Sequence, residues 1–308
     1  MSAAELLPGA KEAVKRPSLL SQLTGDRWLR WWLIVPTALI LIVLSVYPLL
    51  YSLYLSLFNL RFNRYTYIGL GNYERLLGDD AFWGSVRTTL IFAAGVVPVE
   101  LLLGLGLALL LTEEVRFRTF YRTALIMPMI LAPVVVGLIF RLIYSNDFGI
   151  PNYIMERMLH LPHVNWLGDP NVSLISIMLM DIWQWTPFMF LVLLAGLQGI
   201  PVDLYEAARV DGANYVQSFL RITLPMLRPT ILIALLVRTM DALRIFDQVF
   251  VTTQGGPGTS TEVVSFYIYK TAFKFTQITY AASLIIVVLL LTLVISTVYI
   301  WLLRSQSE

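Results

Sequence analysis

EAARVDGANYVQSFLRITLP, residues 206–225, stands inside a polar interruption of about thirty residues that separates two long apolar runs. Pro201 fixes a backbone angle suited to opening a helix, the stretch 202–209 is rich in helix formers, and Gly212 permits a turn. Helical periodicity then resumes over 215–224, so two short helices meeting at a glycine are expected. Ala207 and Ala208 are small enough for another chain to pack closely, and Leu204, Tyr205 and Val210 offer apolar contact beside the acidic Asp203, Glu206 and Asp211. Such a face suits docking. An amphipathic helix lying on a membrane would explain the apolar side but neither the break at Gly212 nor the acidic residues.

The runs on either side fix the class of molecule. Of 308 residues, 57% are hydrophobic and 14% charged, with a mean hydropathy of +0.72. That is the composition of an integral membrane protein. Spans are expected at about 31–58, 88–111, 123–144, 172–197, 229–250 and 281–303, each long enough to cross a hydrocarbon core of about 30 Å. The runs are continuously apolar, which excludes the ten-residue alternation of a β-barrel. The fold class is therefore all-α, with six transmembrane helices and both ends on one side. The tail 1–30, broken by Pro8, Gly9 and Pro17, the loop 198–228 and the tail 304–308 fall on that side. The apolar run after the tail is too long for a cleaved signal, so the N-terminus is expected to be kept. Lys and Arg number about 12 in the segments on the N-terminal side and about 7 in the others, which places the N-terminus, the 198–228 loop and the C-terminus in the cytoplasm.

Several function classes fall away on composition. A net charge of +2 with scattered basic residues gives no nucleic-acid footprint. Without cysteine there is no disulfide, thiolate metal site or catalytic thiol. His160 and His163 share a polar loop and read as ordinary loop histidines. Neither a phosphate-binding Gly-x4-Gly-Lys-Ser/Thr loop nor a nucleophile–His–Asp order is present, so no catalytic or metal site is expected and the energy for any work must come from elsewhere.

The spacing E-A-A-x3-G-x9-I-x-L-P, carried by Glu206, Ala207, Ala208, Gly212, Ile222, Leu224 and Pro225, resembles the EAA motif of permease subunits in binding-protein-dependent ABC importers. The flanking text WTPFMFLVLLAGLQGIP and FDQVFVTTQGGPGTST, with IGLGNYERLL further upstream, is similar to the sugar-transport branch typified by the larger maltose-type permease, over residues 31–303. The resemblance implies type I ABC importer permease architecture in a bacterial or archaeal inner membrane. It also implies a coupling helix at Glu206, Ala207, Ala208, Asp211 and Gly212 that seats in an ATP-binding subunit. The implied partners are a second homologous permease, two ATP-binding subunits and an extracytoplasmic solute-binding protein. This chain would bind no cofactor, ATP and Mg being held by the partners. The loop bearing Gly255, Gly256 and Pro257, expected to be exposed, would touch the binding protein.

Charged groups inside the spans narrow the candidate path. Each costs at least about 2.5 kcal/mol at the bilayer centre unless paired or hydrated. Arg238, Asp241, Arg244 and Asp247 recur every three residues, so Arg238 with Asp241 and Arg244 with Asp247 are expected to pair on one helix. With Pro229 at its start and a rise of about 1.5 Å per residue, Arg238 lies near mid-membrane and Asp247 near the outer face. Asp181, Trp183, Gln184 and Trp185 supply the flat apolar faces and amide groups that a sugar ring meets. Two readings of this stripe stay open, a lining of a hydrated path or a set of charges that fixes helix packing. Three solute readings also stand: a sugar, polyol or related polar solute; an anion such as a phosphodiester, received by Arg238 and Arg244; or an ion-coupled carrier using Glu100, Asp181 and Asp241 as a relay.

Overall fold

A computed structural model describes residues 26–61, 64–112 and 117–304. The expected tails fall outside these residues except for 26–30 and 304, as do residues 113–116 of the short charged turn. The chain divides into two units, one up to Tyr54 and one from Leu55 onward. The first unit holds most of helix α1, Asp26–Ser56, whose stretch Ile34–Ser56 has a mean hydropathy of 2.2 and is buried only at its end, at Leu55 and Ser56. A helix apolar on every side is suited to lipid rather than to water.

In the second unit a hairpin of β1, Phe58–Arg61, and β2, Arg64–Tyr67, is the one exception to the all-helical expectation among the described residues. Helix α2, Gly71–Leu77, follows, and then α3, Asp80–Leu110. The expected span began near 88, but α3 starts eight residues earlier because Asp79 caps it, accepting from the Phe82 amide at 3.1 Å, and because Phe82 and Ser85 are buried. Asp79 also accepts from the Tyr267 and Tyr280 hydroxyls at 2.7 and 2.6 Å, tying the start of α3 to α12, Val264–Tyr269, and α13, Ile278–Arg304. Burial pushes the Asp79 carboxyl up, but the Tyr280 and Tyr267 hydroxyls and the Phe82 and Ala81 amides outweigh it and hold the pKa below the usual value.

The expected third span is two helices, α4 (Arg118–Ile130) and α5 (Pro133–Ile143), bent by 96°. Pro133 drives the residue before it out of helical geometry, and Leu131 and Ala132 are both extended, with ψ of 137°. The bend frees the Leu131 carbonyl inside the protein, where it accepts from the Gln184 amide at 3.0 Å. A four-residue helix α6, Ile150–Tyr153, and a π-helical turn, Ile154–Met158, fill the next loop, where His163 bonds Glu156 at 2.7 Å.

Helix α7, Ser173–Gln198, packs along α3 to make the core, with Phe92, Val96, Ile177, Met180, Met189, Phe190 and Leu193 fully buried. The two backbones meet closely at Gly104, where an added Cβ would sit 2.6 Å from the Met189 Cβ. Beyond α8, Val202–Val210, and α9, Tyr215–Ser218, a π-helical turn, Phe219–Thr223, runs without a break into α10, Leu224–Ala242. The chain leaves helical form at 243–246 and resumes in α11, Asp247–Thr252. The expected continuous helix through 250 therefore ends at Ala242, and the three-residue spacing of charges runs past its end. Among the described residues, five helical stretches are long and apolar enough to cross a membrane, and the bent pair α4–α5 makes a sixth crossing if it is one span.

Candidate functional site

Two places concentrate the groups singled out by the sequence, one at each end of α10. At its N-terminal end lies the docking loop. Pro201 sits at the cap of α8 with ψ 132° and α8 runs to Val210. Gly212 then takes φ +78°, its amide donates to the Arg209 carbonyl at 3.1 Å, and the Ala213 amide donates to the Ala208 carbonyl at 2.9 Å. These two bonds are the Schellman closure of a helix, which needs a left-handed residue at this position. Asn214 and Gln217 next exchange side-chain and backbone bonds of 2.9 Å in a capping box that opens α9. The sequence expected this break and restart; it did not show that the second helix is the beginning of α10 itself.

Glu206, Ala207, Asp211 and Gly212 are exposed and Ala208 is half-buried. Val210 is 87% exposed, and Val202, Tyr215 and Val216 are exposed with it, an apolar surface around the turn at Gly212. Behind this face a hollow of about 560 Å³ separates the loop from Leu109, Thr112 and Leu197 at the ends of α3 and α7. Across the loop the Tyr205 and Thr223 hydroxyls meet at 2.9 Å.

At the other end of α10 is a cavity of about 320 Å³. Asp181, Trp185, Arg238, Asp241, Arg244 and Asp247 line it together with Pro133, Phe246 and Gln248. Arg238 is only 2% exposed. It donates from Nε and from one terminal nitrogen to the Glu100 carboxylate at 2.6 and 2.9 Å, and to Asp181 as well. Its guanidinium lies 5.3 Å from the centre of the Trp185 ring. The pairing expected within α10 is thus replaced for Arg238 by partners on α3 and α7. Arg244 likewise pairs with Asp241, at 3.5 Å, and not with Asp247, which lies beyond the helix end.

Gln184 is buried behind the cavity, accepting from the Gln248 amide at 2.8 Å while it donates to the bend at Leu131. Trp183 points elsewhere: its ring packs 5.3 Å from that of Phe140 and borders a separate hollow against α4. Sequence reasoning did not single out Gln248, and it named Glu100 only as a relay residue of an ion-coupled carrier. An acidic residue in mid-span calls for a partner, and that was the available signal for Glu100.

The loop after α11 is more tucked in than expected. Gly255 is buried, with φ +85° and an ideal Cβ position 3.0 Å from the Phe266 ring, while Gly256 and Pro257 are half-buried. Thr261 donates to the carbonyls of Gly255 and Gly256, and only Gln254, Gly258 and Thr259 are open at its tip.

Comparison with known proteins places this architecture. Residues 100–307 match the family described as binding-protein-dependent transport system inner membrane component. The sulfoquinovosyl glycerol transport system permease protein SmoG of Agrobacterium fabrum is 37% identical, with 92% of each chain covered. The trehalose/maltose transport system permease protein MalF of Thermococcus litoralis is 39% identical over 77% of this chain and 81% of its own. Among solved structures, a bacterial alginate ABC transporter in complex with alginate pentasaccharide-bound periplasmic protein superposes with a TM-score of 0.79 at 25% identity, covering 91% of this chain and 95% of that one. The chain belongs to the family of binding-protein-dependent transport system inner membrane components: it is a non-catalytic, multi-pass permease subunit of the carbohydrate-uptake, maltose-type branch, with type I ABC importer architecture, in a bacterial or archaeal cytoplasmic membrane.

Proposed function

We propose that this permease carries a sugar, polyol or related polar solute through the cavity at the outer end of α10, and that ATP hydrolysis in a partner drives it through the loop at the inner end. The observation that carries the reading is the continuity of α10 between the two places. The docking loop enters it through an unbroken helical path from Tyr215, and its last turns bear Arg238 and Asp241 in the cavity wall. A rigid element joining a docking face to a polar, aromatic cavity is the kind of part that alternating access requires. Trp185 and Phe246 offer flat faces for a sugar ring, and the carboxylates and amide offer acceptors for its hydroxyls.

In this reading the loop 198–228 and both termini face the cytoplasm, and Glu206, Ala207, Ala208, Asp211 and Gly212 seat in one of two ATP-binding subunits that hold ATP and Mg. A second homologous permease completes the pore. An extracytoplasmic binding protein delivers the solute against the outer surface, with the loop of Gly255, Gly256 and Pro257 at or near the contact. The test is uptake by proteoliposomes that hold this chain with the products of its neighbouring genes. The expected result is accumulation that needs ATP and the binding protein, and that Glu206→Ala or Gly212→Pro uncouples from hydrolysis. Uptake by this chain alone, abolished by an uncoupler, overturns the reading.

A further inference from the structure

We propose that the α10 cavity selects solutes that donate hydrogen bonds and bear no negative charge, neutral or amino-bearing saccharides, and that Asp247 and Gln248 make this choice. The inference rests on the reading of the cavity as the solute path. It follows from counting which polar groups are already engaged.

The donors are partly committed. Arg238, deep in the wall, directs three of its five N–H groups at Glu100 and Asp181 and lies against Trp185. Arg244 donates through Nε to the Met240 carbonyl at 3.1 Å, a terminal nitrogen lies 3.5 Å from an Asp241 carboxylate oxygen as an ion pair, and its side chain is 69% exposed. The Gln248 amide is given to Gln184 at 2.8 Å.

Two acceptors are left without a partner. Gln248 is 2% exposed, borders the cavity, and its Oε1 is buried with no hydrogen-bond partner. A buried acceptor in that state is costly, and a donor that reached it would relieve the cost. Asp247, half-buried in the wall beside Phe246, makes no side-chain hydrogen bond or ion pair among the described residues. Three carboxylates and two guanidiniums line the cavity, and one of those guanidiniums is already neutralised by Glu100 from behind. The wall is therefore acidic on balance and rich in acceptors. Hydroxyls and ammonium groups satisfy it, and a carboxylate, sulfonate or phosphate meets like charge. The carboxylates paired with Arg238 and Arg244 weaken the anion-receiving role that these two residues offered on sequence grounds.

Three sugars with the same ring and different charge test this directly: glucose, glucosamine and glucuronate. Their binding to the assembled importer in detergent, without binding protein, can be read by saturation-transfer NMR, with size-exclusion elution establishing that each variant is assembled. Glucose and glucosamine are expected to bind, and glucuronate about tenfold or more weakly. Asp247→Asn, nearly isosteric, lowers glucosamine binding; Asp247→Lys reverses the order of glucosamine and glucuronate; Gln248→Leu weakens all three. If binding is indifferent to all of these variants, the cavity is not the solute path and the inference falls with that reading. If binding responds to them yet glucuronate binds the wild type as well as glucose, the path stands and the charge selection alone is wrong. Binding of none of the three also overturns the inference.

Discussion

Arg238 is held by carboxylates from two other helices, Glu100 on α3 and Asp181 on α7, in a site almost closed to solvent. Charges taken so far from water persist only with close, well-directed partners. Arg238→Met leaves both carboxylates buried without a counter-charge and is expected to lower stability by about 3–5 kcal/mol, seen as a fall in melting temperature of the detergent-solubilised chain. Adding Glu100→Gln to that variant removes one of the bare carboxylates and recovers part of the loss. An unchanged melting temperature in Arg238→Met would contradict the arrangement. The sequence showed that each of these charges needs a partner, but it can measure distance only along one helix, and so favoured Asp241, three residues away. The partners found lie 138 and 57 positions away, a relation that only the packing of three helices creates. Gln248 was illegible for a related reason: an amide beyond the end of α10 carries no periodic signal, and its importance comes from what Gln184 leaves unmet.

At the scale of elements, the docking loop was the most legible part of the chain. Pro201, Gly212 and the Asn214–Gln217 pair each impose a local geometry whatever surrounds them, and α8, its closure and the start of α9 follow. The bend between α4 and α5 was legible only in part. Pro133 announces an interruption, but the 96° angle is kept by the Gln184 bond to the freed Leu131 carbonyl, a contact from another helix. The hydroxyl contact of Tyr205 with Thr223 has a similar character, because it joins α8 to the π-helical turn at the root of α10 across the mouth of a hollow. A π-helical turn at such a point often marks a functional site. Tyr205→Phe or Thr223→Val removes a bond of about 1 kcal/mol and is expected to lower solute imported per ATP hydrolysed several-fold, while the ATP-binding subunits still co-purify. Thr223→Ser keeps the hydroxyl and keeps the ratio. An unchanged ratio in Tyr205→Phe would show that α8 moves α10 without this contact.

For the whole molecule, hydropathy alone separated membrane from loop, since stretches such as Ile34–Ser56 and Ile278–Leu303 are apolar on all sides, with mean hydropathies of 2.2 and 2.8. The ends of the spans were harder to read. Apolarity marks where lipid begins, whereas a helix ends where its caps and tertiary contacts allow, as Asp79 does for α3. The assignment of work to the molecule's two ends, docking within and solute without, depends on the exposed face of α8 being covered by an ATP-binding subunit. The chain contains no cysteine, so a single Ala207→Cys substitution creates its only thiol, on a residue now exposed. The rate at which a maleimide labels that thiol should be measured in membranes with and without the ATP-binding subunits. Labelling that is rapid in the chain alone and slowed on the order of tenfold or more in the complex, as in a water-excluded interface, is the predicted result. Equal rates in both would contradict the account, because the loop would then be free of the partner that is supposed to drive it.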